Sequence, residues 1–382
     1  MVMGADGRTA VDGYLVPAAG KLESNRAYLE HLSIASRDSS VIRLCSNENL
    51  GPPAPEVWEA VRQALATSNL YPPPSPPLRA RLAARHRVDS DSVLLGAGSA
   101  EVIDAAIRAF VRRGDEVILP EPTWPVYRKR LLALEADIRE VPLRRDGLGY
   151  RYDATAIMNR LTSKTKLIVI CSPNNPTGNL CPRPQIEAIA SSGHPILIDS
   201  AYDDFAQGAD RLDEVAAGGL VSKFVNVLVA RTFSKAYALA GLRLGYLLGA
   251  AEVIERVERM MLPGGCVSSV ALAAGEAALD AVRYHADHIS RLVSQRRRVT
   301  DGLRAAGLDA LDSLGNFVPV AFESQPGKSA WFVREMLDRK IAVREMSDCL
   351  ARITVGRTPD NDALLEAVRG LEPYERRYDQ RR

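Results

Sequence analysis

The stretch RTFSKAYALAGLRLGY, Arg231 to Tyr246, sets a lysine directly after a Thr-x-Ser turn and an arginine eight residues further on. Lys235 is followed by Ala236, Ala238, Leu239, Ala240 and Leu242, none of which can give it a carboxylate partner. An ordinary lysine has a pKa of about 10.4, and apolar surroundings or neighbouring cations lower it. Lys235 can therefore be neutral and nucleophilic. In LIDSAYDDF, residues 197–205, Asp199 closes an apolar run, and a carboxylate buried there needs a cation or strong donors. SPNNPTGN, residues 172–179, follows another apolar run. Its composition makes a good turn unaided, and Asn175 could also lend its amide to a ligand oxygen. GAGSAE, residues 96–101, opens a helical pattern, but a dinucleotide fingerprint fails where Glu101 replaces the third glycine. Its backbone N–H groups suit a phosphate monoester as well, and a plain strand-to-helix turn would look the same.

These residues need a scaffold that brings strand ends together. Apolar runs at 92–98, 115–122, 166–173, 195–202, 226–234 and 243–250 alternate with helical patterns, which predicts a mostly parallel sheet covered on both faces. Several runs end in Gly, Pro, Asn, Asp or Ser, so a site is expected in the crevice at their carboxyl ends. From about Ser268 a long Ala- and Arg-rich helical stretch runs through Gly302, followed by the strand-like GNFVPVAFE and ARITVG of a smaller α+β region. YPPPSPP, residues 71–77, cannot lie inside a helix and predicts a rigid exposed loop.

At 382 residues the chain is long enough for two domains or one large domain with an appendage. Its 49 basic and 47 acidic side chains leave a formal charge of +2, too small a field to argue for nucleic acid or a membrane surface. Apolar runs are shorter than the roughly 20 residues of a membrane helix, and the polar start MVMGADGRTAVDG does not read as a signal peptide, so a cytoplasmic protein is expected. The five cysteines (Cys45, Cys171, Cys181, Cys266 and Cys349) lack C-x-x-C spacing and read as reduced thiols. His285 and His288 stand three apart, but without a third ligand they read as a polar helix face, and no metal is expected.

Together, Asn175 in SPNNPTG, Asp199 and Tyr202 in DSAY, and Ser234, Lys235 and Arg243 in TFSKAYALAGLRLG resemble the class I/II aminotransferases that use pyridoxal phosphate. SNEN at 46–49, LYPPP at 70–74, EPTWPVY at 121–127 and RITVG at 352–356 are most similar to the histidinol-phosphate aminotransferases. The resemblance implies fold type I, with a large domain built on a mostly parallel seven-stranded sheet and a smaller α+β domain. The expected division is an N-terminal arm and part of the small domain at 1–47, a cofactor-binding domain at 48–267 and a small C-terminal domain at 268–382.

The resemblance also implies roles. Lys235 would hold the cofactor covalently and later act as base, Asp199 would keep the pyridine nitrogen protonated, and Asn175 and Tyr202 would bond the phenolic oxygen. Trp124 would stack on the ring, while Ser99, Ala100, Ser234 and Arg243 would hold the phosphate, with Tyr71 reaching across a homodimer. Tyr14, Asn49, Arg344 and Arg352 are the expected substrate contacts, the arginines suiting either a phosphate or a carboxylate. Ser200 for the usual Glu, Leu50 for Pro, Ala100 for Asp and Trp124 for Tyr or Phe depart from the family's habit. They leave room for an unusual, cationic or aromatic amino acid as substrate, and decarboxylation or oxidation on the same fold is a further alternative. A regulator built on this fold would carry an additional DNA-binding domain, which is not expected within the residues before SNEN.

Overall fold

A computed structural model describes residues 30–73, 76–206, 214–262, 267–322 and 327–371. Its central sheet contains β1 (Val93–Gly96), β2 (Glu116–Glu121), β3 (Asp137–Pro142), β4 (Thr165–Cys171), β5 (Ile196–Asp199), β6 (Val227–Thr232) and β7 (Gly245–Leu248). The spatial order is β1-β7-β6-β5-β4-β2-β3. Only β7 runs against its neighbours, pairing antiparallel with β1 and β6. The central strands are buried along nearly their whole length, as expected of continuous apolar runs covered on both faces. β3 is not among the expected strands. As the sheet edge it keeps a partly exposed, charged sequence, DIREVP, which carries no apolar run.

The register aligns Cys171 with Asp199 and Asp199 with Ala230, while Gly245 sits beside both Thr232 and Gly96. This brings the carboxyl ends of β1, β4, β5 and β6 to one edge, where residues leaving the sheet converge. Helices α1 (Pro55–Leu65), α2 (Pro77–His86), α3 (Ser99–Phe110) and α4 (Pro125–Ala133) follow the early turns. Three of them begin with proline at the first turn, where its fixed φ and missing donor are tolerated. Thus the last proline of YPPPSPP starts α2 rather than belonging to the loop.

The expected long helix divides at Ala281 (φ −79°, ψ 43°) into α5 (Ser269–Asp280) and α6 (Val282–Ala305). Ser268 caps α5 by accepting a hydrogen bond from Ala271 N at 3.2 Å. Ala271, Leu272, Ala274 and Ala278 of α5 share a core with Val57, Leu78, Ile168 and Val229, so α5 packs with the large sheet. α6 carries Leu292, Val299 and Leu303 into the other core, so the helix break at Ala281 lies where packing passes from one core to the other, and no proline or glycine marks it.

The smaller unit carries β8 (Asp309–Ala310), β9 (Phe317–Ala321), β10 (Arg344–Ser347) and β11 (Leu350–Thr354) in the order β8-β9-β11-β10, together with α6 and α7 (Thr358–Arg369). Phe317, Val320, Phe332, Met336, Ile353 and Leu364 fill its core. Complete burial of each such large side chain contributes about 1.5–3 kcal/mol. Ile42–Arg43 pairs in parallel with Ile341–Ala342, which ties the N-terminal segment to this unit. Tyr202 and Ala201 from the end of β5 enter the same core, so the two units meet beside Asp199. Among the described residues no helix is long and apolar enough to cross a membrane.

Candidate active site

The converging strand ends open into a cleft of about 610 Å³. It is lined by Ser99 and Ala100 from α3, Trp124 before α4, Asn175 after β4, Asp199 and Tyr202 after β5, Ser234 and Lys235 after β6, Arg243 before β7, and Arg344 and Arg352 from the small sheet. Eleven expected site residues separated by up to 253 positions therefore face one space.

Lys235 Nζ donates to Asn47 O at 2.9 Å and to Ser46 O at 3.3 Å. Burial, then the positive charges of Arg352 and Arg243, bring its pKa down to about 7, although Glu48 and Asp199 pull the other way. An appreciable fraction of the amine is thus neutral at physiological pH. Asp199 is buried; its Oδ2 accepts from Tyr127 Oη at 2.6 Å and its Oδ1 from Ala201 N at 3.0 Å. Burial raises its pKa, a penalty only partly offset by these donors and by Lys235. A bound cationic N–H beside it would relieve that penalty.

The anion end is built from the first turn of α3. Gly98, its N-cap, lies at φ 82° and has no side chain with which to cap the leading amides. A Cβ there would come within 2.4 Å of Arg243 Nη2, so only glycine lets the guanidinium approach this turn. Arg243 Nη1 donates to Ala240 O at 2.9 Å and lies 3.4 Å from Ser234 Oγ. Uncapped amides, a hydroxyl and a guanidinium form a cradle suited to a phosphate monoester. Together with a buried carboxylate awaiting a cation and a lysine of lowered pKa, these residues fit pyridoxal phosphate.

On the substrate side, Arg352 is buried, with Nη1 donating to Asn175 Oδ1 at 2.6 Å and Nη2 to Cys45 O at 2.8 Å. That contact fixes the Asn175 amide, leaving its Nδ2 as the donor for a ligand. Tyr202 Oη accepts from Asn47 Nδ2 at 3.0 Å, and its ring packs edge-on against Phe317. Glu48, paired with Arg43 at 2.7 Å, also lines the cleft and sets a carboxylate among the arginines.

Three expectations come out differently or fall elsewhere. Asn49 does not line this cleft: its Nδ2 donates to the carbonyls of Lys235 at 3.0 Å and Ala236 at 3.3 Å, which supports the backbone beside the lysine. Tyr71 is 96% exposed and absent from the cleft lining of its own chain. Tyr14 lies outside the described residues.

Sequence reasoning missed Tyr127, Asn47 and Glu48. Tyr127 stands three residues after Trp124 in EPTWPVY, and the two rings pack edge-to-face at 5.2 Å. Helical spacing could have shown that both face the same side. Asn47 and Glu48 lie within SNEN, where only the last residue was singled out.

Residues 39–368 match the family described as Aminotransferase class I and II. The chain is 35% identical over 336 residues to histidinol-phosphate aminotransferase 1 of Archaeoglobus fulgidus, covering 86% of this chain and 98% of that one. It is 32% identical over 337 residues to an aromatic amino acid aminotransferase of Mycolicibacterium smegmatis, covering 87% of this chain and 90% of the relative. Among solved structures, it is similar to the histidinol-phosphate aminotransferase of Sinorhizobium meliloti in complex with pyridoxal 5'-phosphate. The TM-score is 0.83 at 25% identity, over 95% of this chain and 100% of the other.

Proposed function

Because the chain belongs to the class I and II aminotransferases, which work with pyridoxal phosphate, we propose that its cleft transfers the amino group of histidinol phosphate to a 2-oxo acid. The observation carrying this substrate is the presence of Arg344 and Arg352 together on the cleft wall, where a dianionic phosphate monoester can use both guanidinium groups. The likeness to the histidinol-phosphate enzymes of A. fulgidus and S. meliloti supports the same reading.

The cofactor supplies an electron sink for the pair released when the substrate's Cα–H bond breaks. Ser99 and Ala100 amides, Ser234 Oγ and Arg243 would hold its phosphate, Trp124 would stack on its ring, and Asn175 and Tyr202 would bond its phenolic oxygen. Asp199, oriented by Tyr127, would hold the proton on the pyridine nitrogen. Lys235 would hold the cofactor through its amine, and that amine, once free, would be the base placed for the proton on the substrate's Cα. The lowered pKa leaves the amine able to accept that proton.

The working unit in this reading is a homodimer in which Tyr71 reaches the partner's cofactor phosphate. Its exposure, with Trp58, Leu65 and Leu70 also exposed at 62%, 56% and 62%, supports a covered face in the assembled protein. The cytoplasm is its place, where scattered cysteines remain reduced.

A second reading, an aromatic amino acid as donor, is supported by the M. smegmatis relative. Half-reactions followed through the cofactor's visible absorbance separate the two. Histidinol phosphate should give the highest kcat/KM in a panel with phenylalanine, tyrosine and glutamate. Turnover of a carboxylate-bearing amino acid without any of histidinol phosphate overturns the substrate assignment and leaves the aminotransferase assignment standing.

A further inference from the structure

We infer that His288 is a positioning residue for Lys235, acting through Asn49 from outside the substrate cleft. Asn49 donates from Nδ2 to Lys235 O and Ala236 O, at 3.0 and 3.3 Å. Carbonyl oxygens only accept, so this pair fixes which way the Asn49 amide points. Its Oδ1 must then face the other way, where it accepts from Gly51 N at 3.1 Å and lies 2.6 Å from His288 Nε2. An amide oxygen cannot donate, and His288 must therefore carry its proton on Nε2. Burial and the nearby Arg291 lower the His288 pKa, which favours the neutral imidazole, and the contact with Asn49 Oδ1 selects its Nε2–H tautomer.

The same short segment grips the other end of the lysine, because Lys235 Nζ donates to Asn47 O and Ser46 O. The segment 46–51 thus holds Lys235 at both its amine and its carbonyl. The backbone around it needs such a clamp: Asn47, Ala238 and Arg243 are non-glycine residues at φ 52°, 58° and 54°. That left-handed region is unfavourable for an L-residue and persists only where surrounding contacts impose it.

His288 projects from α6, which belongs to the smaller unit, and its ring stacks on Tyr284 with centroids 6.3 Å apart and planes 12° from parallel. Tyr284 Oη in turn donates to Pro52 O at 2.8 Å. A Cβ on Gly51 would lie 2.0 Å from His288 Cε1, so the glycine is what admits the ring. Beside it opens a separate cavity of about 350 Å³, lined by Asn49, Pro52, His288 and Arg291 among others. The ring therefore has space on one side, and its hydrogen bond, rather than close packing all round, fixes where Nε2 sits.

This role rests on Lys235 being the reactive amine, and the test keeps the two ideas apart. In His288→Phe the aromatic stack remains and the donor is lost; in His288→Gln an amide N–H takes the place of Nε2–H. For each holoenzyme, kcat, KM and the pH midpoint of the cofactor's visible titration are measured, using whichever amino donor the substrate panel finds best. In the apoenzyme, the pH dependence of Lys235 labelling by an amine reagent is measured by peptide mass spectrometry, which needs neither substrate nor turnover. The expected result for His288→Phe is a kcat loss of about tenfold, KM within about twofold, and displaced visible and labelling midpoints. His288→Gln should return all three toward wild type. Wild-type midpoints and kcat in a folded His288→Phe overturn the inference, as does a folded His288→Gln no better than His288→Phe. Should His288→Phe not fold, Asn49→Ser cuts the same chain one link nearer the lysine and must displace the labelling midpoint; an unchanged midpoint there overturns it too. If wild-type Lys235 is itself unlabelled by cofactor, the assignment of the reactive amine fails instead.

Discussion

Arg344 and Arg352 are Cα partners across the antiparallel pair β10 and β11, and both line the cleft that contains Lys235. Arg352 is buried and braced by Asn175 and Cys45, whereas Arg344 is only half-buried at the start of its strand. The pair thus offers one fixed guanidinium and one nearer solvent. A carboxylate is satisfied by one bidentate arginine, while a phosphate dianion can use both.

Arg344→Ala should lower kcat/KM for histidinol phosphate by a factor corresponding to about 1.5–3 kcal/mol, the value of a hydrogen bond to a charged group. For glutamate, whose α-carboxylate would rest on Arg352, the same substitution should cost under about threefold. Steady-state kinetics of the two half-reactions provides the comparison. Equal losses for both substrates would remove Arg344 from any phosphate-specific role.

A second prediction follows from the pKa of about 7 at Lys235. In the unfolded chain the lysine titrates near 10.4, so between about pH 7 and 10.4 the unfolded state binds more protons than the folded one. The apoenzyme should therefore gain stability from this group as pH rises through that window, and the burial penalty should be full below it. Lys235→Met removes the titration while keeping most of the volume. The difference in urea midpoint between wild type and Lys235→Met, both as apoenzyme, should narrow from pH 7 to pH 9.5. A constant difference would mean that the folded lysine titrates normally.

The parts of this architecture that the sequence made legible share a physical cause. β4 and β6 are buried on both faces and read as continuous apolar runs, and polar residues just beyond such runs, Asn175, Asp199, Ser234 and Lys235, were visible as site candidates. β3 lacks that signal because an edge strand is covered incompletely, and the break at Ala281 lacks it because neither proline nor glycine causes it. Asn49 of SNEN turns its amide to the backbone carbonyls of Lys235 and Ala236, and a side chain that acts on backbone carbonyls leaves no charge pattern in sequence. Tyr127 was missed because an aromatic residue at helical spacing from Trp124 resembles ordinary core. Only the 2.6 Å contact with Asp199 distinguishes it.

The last prediction concerns Tyr71, whose nearly complete exposure in one chain contrasts with its expected place at the partner's cofactor phosphate. Mixed dimers made from Lys235→Ala and Tyr71→Phe chains, purified through two different tags, decide whether that site is shared. If Tyr71 serves the partner, one cleft carries both lesions, while the other combines an intact Lys235 with an intact Tyr71 from the opposite chain. The mixed dimer should then approach half of wild-type activity. If Tyr71 serves its own chain, the only cleft with an intact Lys235 also carries the Tyr71→Phe lesion, and activity should be half that of the Tyr71→Phe homodimer. The Tyr71→Phe homodimer must itself be impaired for the two outcomes to separate, and loss of a charge-assisted hydrogen bond to phosphate, about 1.5–3 kcal/mol, provides that impairment. Activity at half the Tyr71→Phe level in a proven mixed dimer would place the whole site within one chain.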